Sequence, residues 1–100
     1  MADTAVTIEH QDKGSEGRYV ARIADSEAEA ELTWHARGEG VRVADHTFTP
    51  PPLRGQGIAG ELVRALVTDA REHGFRIVPQ CPYVRDKFDE NPEWSDLRAA

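Results

Sequence analysis

Several features that identify common protein classes are missing from this chain of 100 residues. A single cysteine, Cys81, allows neither an internal disulfide nor a metal site built from several cysteines. No apolar stretch approaches the roughly 20 residues that span a bilayer. Met1 to Thr4 lack the positive flank and apolar run of a signal peptide. We therefore expect one cytoplasmic domain over residues 1–100, without a membrane partner.

Positive charge is also scarce, because 12 lysines and arginines stand against 18 aspartates and glutamates and give a formal net charge of −6. Proteins that bind nucleic acid usually present an excess of positive charge, so we expect no such partner. His10, His35 and His73 show no spacing typical of metal ligands. We predict that all three are surface residues and that the chain holds no metal.

The first half of the chain alternates apolar and polar residues. Between Ala28 and Ala36 small and apolar residues share one face, while Glu27, Glu29 and Glu31 lie on the other. This alternation predicts an antiparallel strand with one solvated face, and it favours Trp34 as a core residue. Similar patterns predict three more strands, which begin near Val6, before Tyr19 and at Val41, with the last ending at Phe48.

After Pro50 the apolar period changes from two residues to about four. Ile58, Leu62, Leu66 and Ala70 form a stripe at helical spacing, and Gly74 can end the helix. The pattern predicts a helix from about Gly57 to His73, a short fifth strand over 75–78 and a last helix that Pro82 opens and Asn91-Pro92 ends. The fold class is therefore α+β, with a mostly antiparallel sheet and one parallel unit around the long helix.

Two glycines, Gly55 and Gly57, lie in the turn between the fourth strand and the long helix. Glycine permits unusual backbone angles and close approach of a ligand, and the first amides of a helix attract anions. Arg54 can add a positive charge. Two interpretations remain open: an anion site, or a tight turn with no ligand. The literal Gly-x-Gly-x-x-Gly match at 55–60 does not predict a dinucleotide site, because it follows antiparallel strands.

The segment Arg54-Gly55-Gln56-Gly57-Ile58-Ala59 resembles the Gln/Arg-x-x-Gly-x-Gly/Ala signature of the GNAT superfamily of N-acetyltransferases. The predicted order of strands and helices is similar as well, so the resemblance covers most of the chain. It is strongest from His46 to Pro92. Three further segments look like the small, minimal-length GNAT subgroup: His46-Thr47-Phe48-Thr49-Pro50, Cys81-Pro82-Tyr83-Val84 and Asn91-Pro92.

This resemblance implies a GNAT-type single domain in which the fourth and fifth strands splay apart and hold acetyl-coenzyme A (acetyl-CoA) in the gap. It implies that the backbone near Thr47 and Phe48 pairs with the pantetheine arm, while the turn holds the pyrophosphate. The implied cofactor-binding residues are Thr47, Phe48, Arg54, Gly55, Gln56, Gly57, Ile58 and Ala59. Larger relatives have helices between the first two strands that help to bind the acceptor, whereas here only Gln11 to Gly17 joins them.

Three residues near the expected gap are candidates for chemistry. Cys81 is suited to carry the acetyl group transiently, or it simply packs in the core. Tyr83 could donate a proton to the departing thiolate, or its ring caps the core beside Phe88. His46 could act as a base, or it is an ordinary surface histidine. Asp45 could steer a cationic amine, although a solvated carboxylate is the simpler interpretation.

The resemblance predicts an acetyl-CoA-dependent N-acetyltransferase that acts on an unidentified amine, with Cys81 as a candidate carrier. A second hypothesis is an acetyl-CoA-binding sensor or interaction module with little turnover, which the missing acceptor helices favour. A third is a structural domain whose turn holds no ligand.

Overall fold

Five strands follow one another across a single sheet in the computed structural model, which describes residues 6–24 and 26–99. The first four pair antiparallel and the last two pair parallel. The alternating segments of the sequence thus form the predicted α+β fold. The strands are β1 (Val6–Asp12), β2 (Glu16–Ile23), β3 (Ala30–Ala36), β4 (Val41–Phe48) and β5 (Arg76–Pro79).

The long helix α1 (Ile58–His73) covers one face of this sheet. Glycines in the left-handed conformation flank it, since Gly57 has φ 75° and Gly74 has φ 77°. The amide of Gly74 donates to the carbonyl of Ala70, as expected for a glycine that ends a helix. The predicted apolar stripe is buried against the core residues of β2 and β3, which include Trp34. The helix prediction is confirmed, with Gly57 as the cap rather than the first helical residue.

The chain after α1 completes the same core. β5 begins one residue later than predicted, because the amide of Phe75 still donates to the carbonyl of Ala70 at the end of α1. The Phe75 side chain is buried in the core. The second helix, α2 (Pro82–Glu90), buries Val84 and Phe88, and Trp94 packs edge-on against Phe88 with ring centroids 5.4 Å apart. Two short 3₁₀ helices occupy Pro51–Leu53 and Pro92–Leu97. No helix in the described ranges is long and apolar enough to cross a membrane.

β4 and β5 separate partway along their length, as the resemblance implies. They pair from Val41 with Arg76 to Ala44 with Pro79. β4 then continues to Phe48, whereas the chain after β5 turns away and Cys81 donates its amide to the carbonyl of Ala44 over 2.9 Å. The outer edge of β4 beyond Ala44 is therefore open.

A bulge interrupts the pairing of β3 with β4 near the same point. Thr33 pairs with His46 and Trp34 pairs with Ala44, so Asp45 is an extra residue without a partner across the strands. Such a bulge can redirect a side chain, and here it brings Asp45 back over β3.

The sheet face away from α1 carries ion pairs rather than simply solvated carboxylates. Arg18 approaches Glu31 to 2.9 Å, and Arg22 bridges Glu9 and Glu29. Glu29 is exposed and Glu31 is half-buried, so this face is solvated as predicted, with ion pairs that the sequence did not predict. These pairs are largely exposed, so each contributes little to stability.

Candidate active site

The turn between β4 and α1 presents a row of unused amides. Gly55 has φ 78° and Gly57 has φ 75°, angles that a residue with a Cβ atom adopts only at a cost. Among the described residues, no hydrogen bond within the protein is donated by the backbone amides of residues 55–60; the first donor is Glu61, which reaches the carbonyl of Gly57 over 3.2 Å. These amides lie at the positive end of the α1 dipole. The turn therefore has the donors that an anion requires.

Two side chains of the turn hold its shape. Arg54 Nε donates to the carbonyl of Thr49 over 2.9 Å, and Gln56 Nε2 donates to the carbonyl of Pro52 over 3.1 Å. Arg54 thus uses only its Nε atom in this contact, and its positive charge lies beside the turn. Neither side chain fills the space in front of the amides.

A hollow of about 240 Å³ lies beside the turn. A Cβ atom at either Gly55 or Gly57 would meet nothing within 4 Å, which shows that the space is open. Tyr83 of α2 contributes to the same hollow, so the turn and this predicted catalytic residue are brought together. The lining residues are Thr49, Leu53, Arg54, Gly55, Gly57, Ile58, Ala59 and Tyr83.

Cys81 lies at the opening between the two strands. Its Sγ atom is 3.4 Å from Oγ1 of Thr47 on the open part of β4, and Cys81 is the residue directly before α2. Burial of the thiol opposes its ionisation, but hydrogen bonding from Thr47 and the nearby amides of Val84 and Tyr83 outweigh burial and lower the pKa of Cys81. Neither α2 amide comes close enough to form a capping hydrogen bond, so we regard Thr47 as the firmer contact. The thiol is buried, yet its hydrogen-bonding neighbours shift its ionisation towards the thiolate.

The remaining predicted residues are more exposed. Phe48, at the end of β4, is 46% exposed, the largest apolar side chain left open to solvent in the part of the chain that is described. His46 is exposed, and its side chain forms no hydrogen bond or ion pair within that same part. His46 therefore has no neighbour that fixes the orientation of its ring.

A histidine and a carboxylate that the sequence did not connect form a close pair. His35 Nδ1 lies 2.5 Å from Asp45 Oδ2, and Thr33 Oγ1 donates to the other oxygen of Asp45. His35 lies at the surface as predicted, with its side chain 46% exposed, but the sequence did not predict its contact with Asp45. Asp45 is not simply solvated, because both of its oxygens contact protein groups. The bulge in β4 causes this contact, and strand alternation gives no signal of a bulge.

His10 is also more than a surface residue, contrary to prediction. Its ring stacks on Tyr19 with centroids 4.1 Å apart, and its Nε2 atom accepts a hydrogen bond from Nε1 of Trp34 over 3.0 Å. Tyr19 in turn donates to Asp69 of α1 over 2.6 Å. Burial, reinforced by the hydrogen bond to Asp69, raises the pKa of Tyr19. These contacts link the sheet to α1, and we interpret their role as structural because they lie away from the glycine turn.

The chain is similar to known proteins in both sequence and fold. Residues 18–97 match the family described as GCN5-related N-acetyl-transferase. The chain is also similar to the NMR solution structure of a GCN5-like protein from Staphylococcus aureus, proposed to be an N-acetyltransferase. The two are 26% identical with a TM-score of 0.66, over 92% of this chain and 88% of the other. The family match includes β4, the glycine turn, Cys81 and Tyr83.

Proposed function

Because the chain belongs to the GCN5-related N-acetyltransferase family, we propose that it forms one domain over residues 1–100, binds acetyl-CoA and transfers the acetyl group to an amine. The observation that carries this proposal is the row of amides at 55–60 that make no bond within the described protein. A diphosphate would accept hydrogen bonds from them at the positive end of α1. Arg54 adds a positive charge next to that position.

The pantetheine arm follows the open edge of β4. Beyond Ala44 this edge has no neighbouring strand, so the backbone near Thr47 and Phe48 can pair with amides of the arm as a strand would. This path leads from the turn towards Cys81, which lies within 3.4 Å of Thr47. The thioester of acetyl-CoA would then lie beside the Cys81 thiol.

Cys81 carries the acetyl group in this proposal. Its thiolate attacks the thioester carbonyl carbon, a new C–S bond forms, and the bond to the coenzyme sulfur breaks. The coenzyme leaves as a thiolate and takes a proton from the Tyr83 hydroxyl, which lines the hollow beside the turn. The acceptor amine then forms a bond to the acetyl carbon, the bond to Cys81 Sγ breaks and restores its thiolate, and the proton that the nitrogen loses returns to the Tyr83 oxygen. The lowered pKa of the Cys81 thiol supports this role, because only the thiolate is strongly nucleophilic.

The amine must lose a proton before it attacks, and two histidines lie near the open part of β4. His46 is the candidate base that the sequence offers, because it lies on β4 next to the gap, and His35 of β3 is the other. His46 has no carboxylate partner in the described ranges.

The alternative of an acetyl-CoA-binding module with little turnover rests on one observation. Only three residues separate β1 from β2, since β1 ends at Asp12 and β2 begins at Glu16. No helix can form in that connection to enclose an acceptor. A module of this kind would bind the coenzyme at the same turn but acetylate no amine.

Calorimetric titration with acetyl-CoA tests the binding step that both hypotheses share. If acetyl-CoA does not bind, both the enzyme and the binding-module hypotheses are wrong, and the hypothesis of a structural domain remains. Incubation with radiolabelled acetyl-CoA and a panel of polyamines, amino acids, peptides and aminoglycosides then separates enzyme from module.

The role of Cys81 has a specific readout because the chain contains one cysteine. A protein-bound label that hydroxylamine releases can be a thioester only at that position. We expect such a label in the wild type and none in Cys81→Ala. Transfer that continues at the wild-type rate in Cys81→Ala would instead favour direct attack of the amine on acetyl-CoA.

A further inference from the structure

A second, larger hollow of about 450 Å³ opens on the sheet face away from α1. Thr33 and His35 of its wall alternate along β3 with the core residues Leu32 and Trp34, which places them on that face. One end of the hollow lies at the turn between β1 and β2 and the other at Asp45. The lining residues are Gln11, Lys13, Glu16, Gly17, Arg18, Thr33, Trp34, His35 and Asp45.

The His35–Asp45 pair in this wall has the geometry of an oriented base. Asp45 accepts from Thr33 through one oxygen and lies 2.5 Å from Nδ1 of His35 through the other. A carboxylate only accepts hydrogen bonds, so Nδ1 of His35 carries a proton, and Nε2 can accept one whenever the ring is neutral. The contact fixes the ring, whereas His46 has no such contact within the described chain.

Asp45 also connects the hollow to the gap. It directly follows Ala44, whose carbonyl accepts the amide of Cys81, and it is the first residue of β4 beyond the pairing with β5. A ligand in the hollow would reach the open edge of β4 from the face opposite α1. A thioester held along that edge would be accessible from this face because no strand covers it.

The charges around the hollow fit a cationic ligand. Asp45 and Glu16 are negative, and the Glu16 carboxylate forms no ion pair among residues 6–24 and 26–99. The positive charge of Arg18 is balanced by Glu31 at 2.9 Å, so Lys13 is the remaining cation at the far end of the hollow. A small primary amine, protonated in solution, would be drawn towards Asp45.

The geometry points to this hollow as the acceptor site for a small primary amine, with His35 as its base and Asp45 as the positioning residue. This inference rests on the proposed function. The ammonium of the acceptor gives one proton to Nε2 of His35, and the neutral nitrogen then forms a bond to the thioester carbonyl carbon. The C–S bond breaks, and the second nitrogen proton passes to the departing thiolate. The products are an N-substituted acetamide and a thiol, and His35 releases its proton to water.

Binding is tested by NMR titration of the isotope-labelled full chain with butylamine, and with butanol as an uncharged control of similar length. We expect saturable shifts of the amide signals of Gly17, Thr33 and His35 with butylamine alone, and no such shifts in Asp45→Asn. Equal shifts with butanol, shifts elsewhere only, or no shifts would overturn the assignment. Coenzyme A added to the same samples reports on residues 55–59. If those signals do not move, the proposed function is wrong. The butylamine titration still decides whether the hollow binds an amine.

Catalysis is tested by the acetylation of butylamine in His35→Gln, Asp45→Asn and His46→Gln. Glu39→Gln and His73→Gln are exposed controls with matched chemistry. We expect His35→Gln and Asp45→Asn to lower kcat/KM by about 10²-fold or more, with the Kd for acetyl-CoA unchanged. The controls should stay within about twofold of wild type. Added imidazole should restore part of the kcat of His35→Ala, a rescue that a purely structural role would not give.

Three results would overturn the catalytic part. One is wild-type kcat/KM in His35→Gln. Another is loss of activity in His46→Gln alone, which would transfer the role of base to His46. The third is a wild type that binds both butylamine and coenzyme A but forms no N-butylacetamide.

Discussion

Thr47 Oγ1 lies 3.4 Å from Cys81 Sγ, at the point where β4 has separated from β5. This contact favours the thiolate and, with the nearby amides of α2, lowers the pKa of Cys81 against the opposing effect of burial. Thr47→Val keeps the shape of the side chain but removes the hydroxyl. We predict that the substitution raises the pKa of Cys81, so that alkylation by iodoacetamide requires a higher pH.

The measurement is the midpoint of the alkylation rate against pH. Thr68→Val is the matched control, because Thr68 is exposed on α1. An equal midpoint in Thr47→Val and wild type would mean that the thiol owes its state to α2 rather than to Thr47.

Gly57→Glu should weaken the binding of acetyl-CoA. The new side chain places a negative charge at the proposed pyrophosphate position, where charge-assisted hydrogen bonds would be lost. Losses of this kind correspond to roughly 10- to 100-fold in Kd. The measurement is calorimetric titration.

Gly40→Glu is the control that separates the effect of backbone strain from the effect of blocking the binding site. Gly40 has φ 71°, close to the 75° of Gly57, and lies in open space in the turn between β3 and β4. Both variants should lose similar stability, and only Gly57→Glu should lose affinity. Equal affinity in the two variants would place the pyrophosphate away from the turn.

Much of the fold could be predicted because its elements follow local periodicity. The stripe from Ile58 to Ala70 defines α1, since every fourth residue faces the sheet. The position of the glycine turn could be predicted because Gly55 and Gly57 lie between a strand pattern and a helix pattern, but these glycines alone did not distinguish an anion site from a tight turn. The separation of β4 from β5 came only from the resemblance, since no residue pattern encodes where two strands stop pairing.

The missed contacts depend on pairing between distant segments. His35 and Asp45 meet because a single extra residue shifts the pairing after Thr33. His10 meets Trp34 and Tyr19 because three strands align and α1 crosses them. A histidine that looks exposed in the pattern of one strand can therefore be held by its neighbours in the sheet.

Gly17→Ala should destabilise the fold. A methyl group there would lie 2.6 Å from the carbonyl oxygen of Gln11 and 2.7 Å from Cζ2 of Trp34, which is buried. Overpacking of this kind costs about 1–3 kcal/mol in the free energy of unfolding. The measurement is urea denaturation.

Gly60→Ala provides the opposite case. Its new methyl group would have only the Tyr83 hydroxyl within 4 Å, at 3.7 Å, and alanine is favoured within a helix. We expect Gly60→Ala to be at least as stable as wild type. If Gly17→Ala is as stable as Gly60→Ala, then Trp34 and Gln11 move to accommodate the added methyl group at Gly17.

The stability of the protein should fall as the pH drops below the ordinary pKa of histidine. Burial lowers the pKa of His10 below 6.5, and this effect exceeds the opposing attraction of Asp69. The hydrogen bond from Trp34 requires an unprotonated Nε2, so the folded chain holds His10 neutral. Between the folded pKa and about 6.5 the unfolded chain therefore binds more protons, and stability is complete above this window and declines within it.

His10→Gln removes this titration. Urea denaturation at about pH 7.5 and about pH 5.5 should show a loss of stability in wild type that does not exceed the one-proton limit of about 1.4 kcal/mol per pH unit. We expect a smaller loss in His10→Gln, although its stability at the higher pH is below that of wild type because Trp34 loses its acceptor. His46→Gln, at an exposed position on β4, should keep the wild-type pH dependence, because His46 is not among the groups that act on His10. If all three proteins lose the same stability, the decline comes from other groups, and the Trp34–His10 bond does not hold the ring neutral.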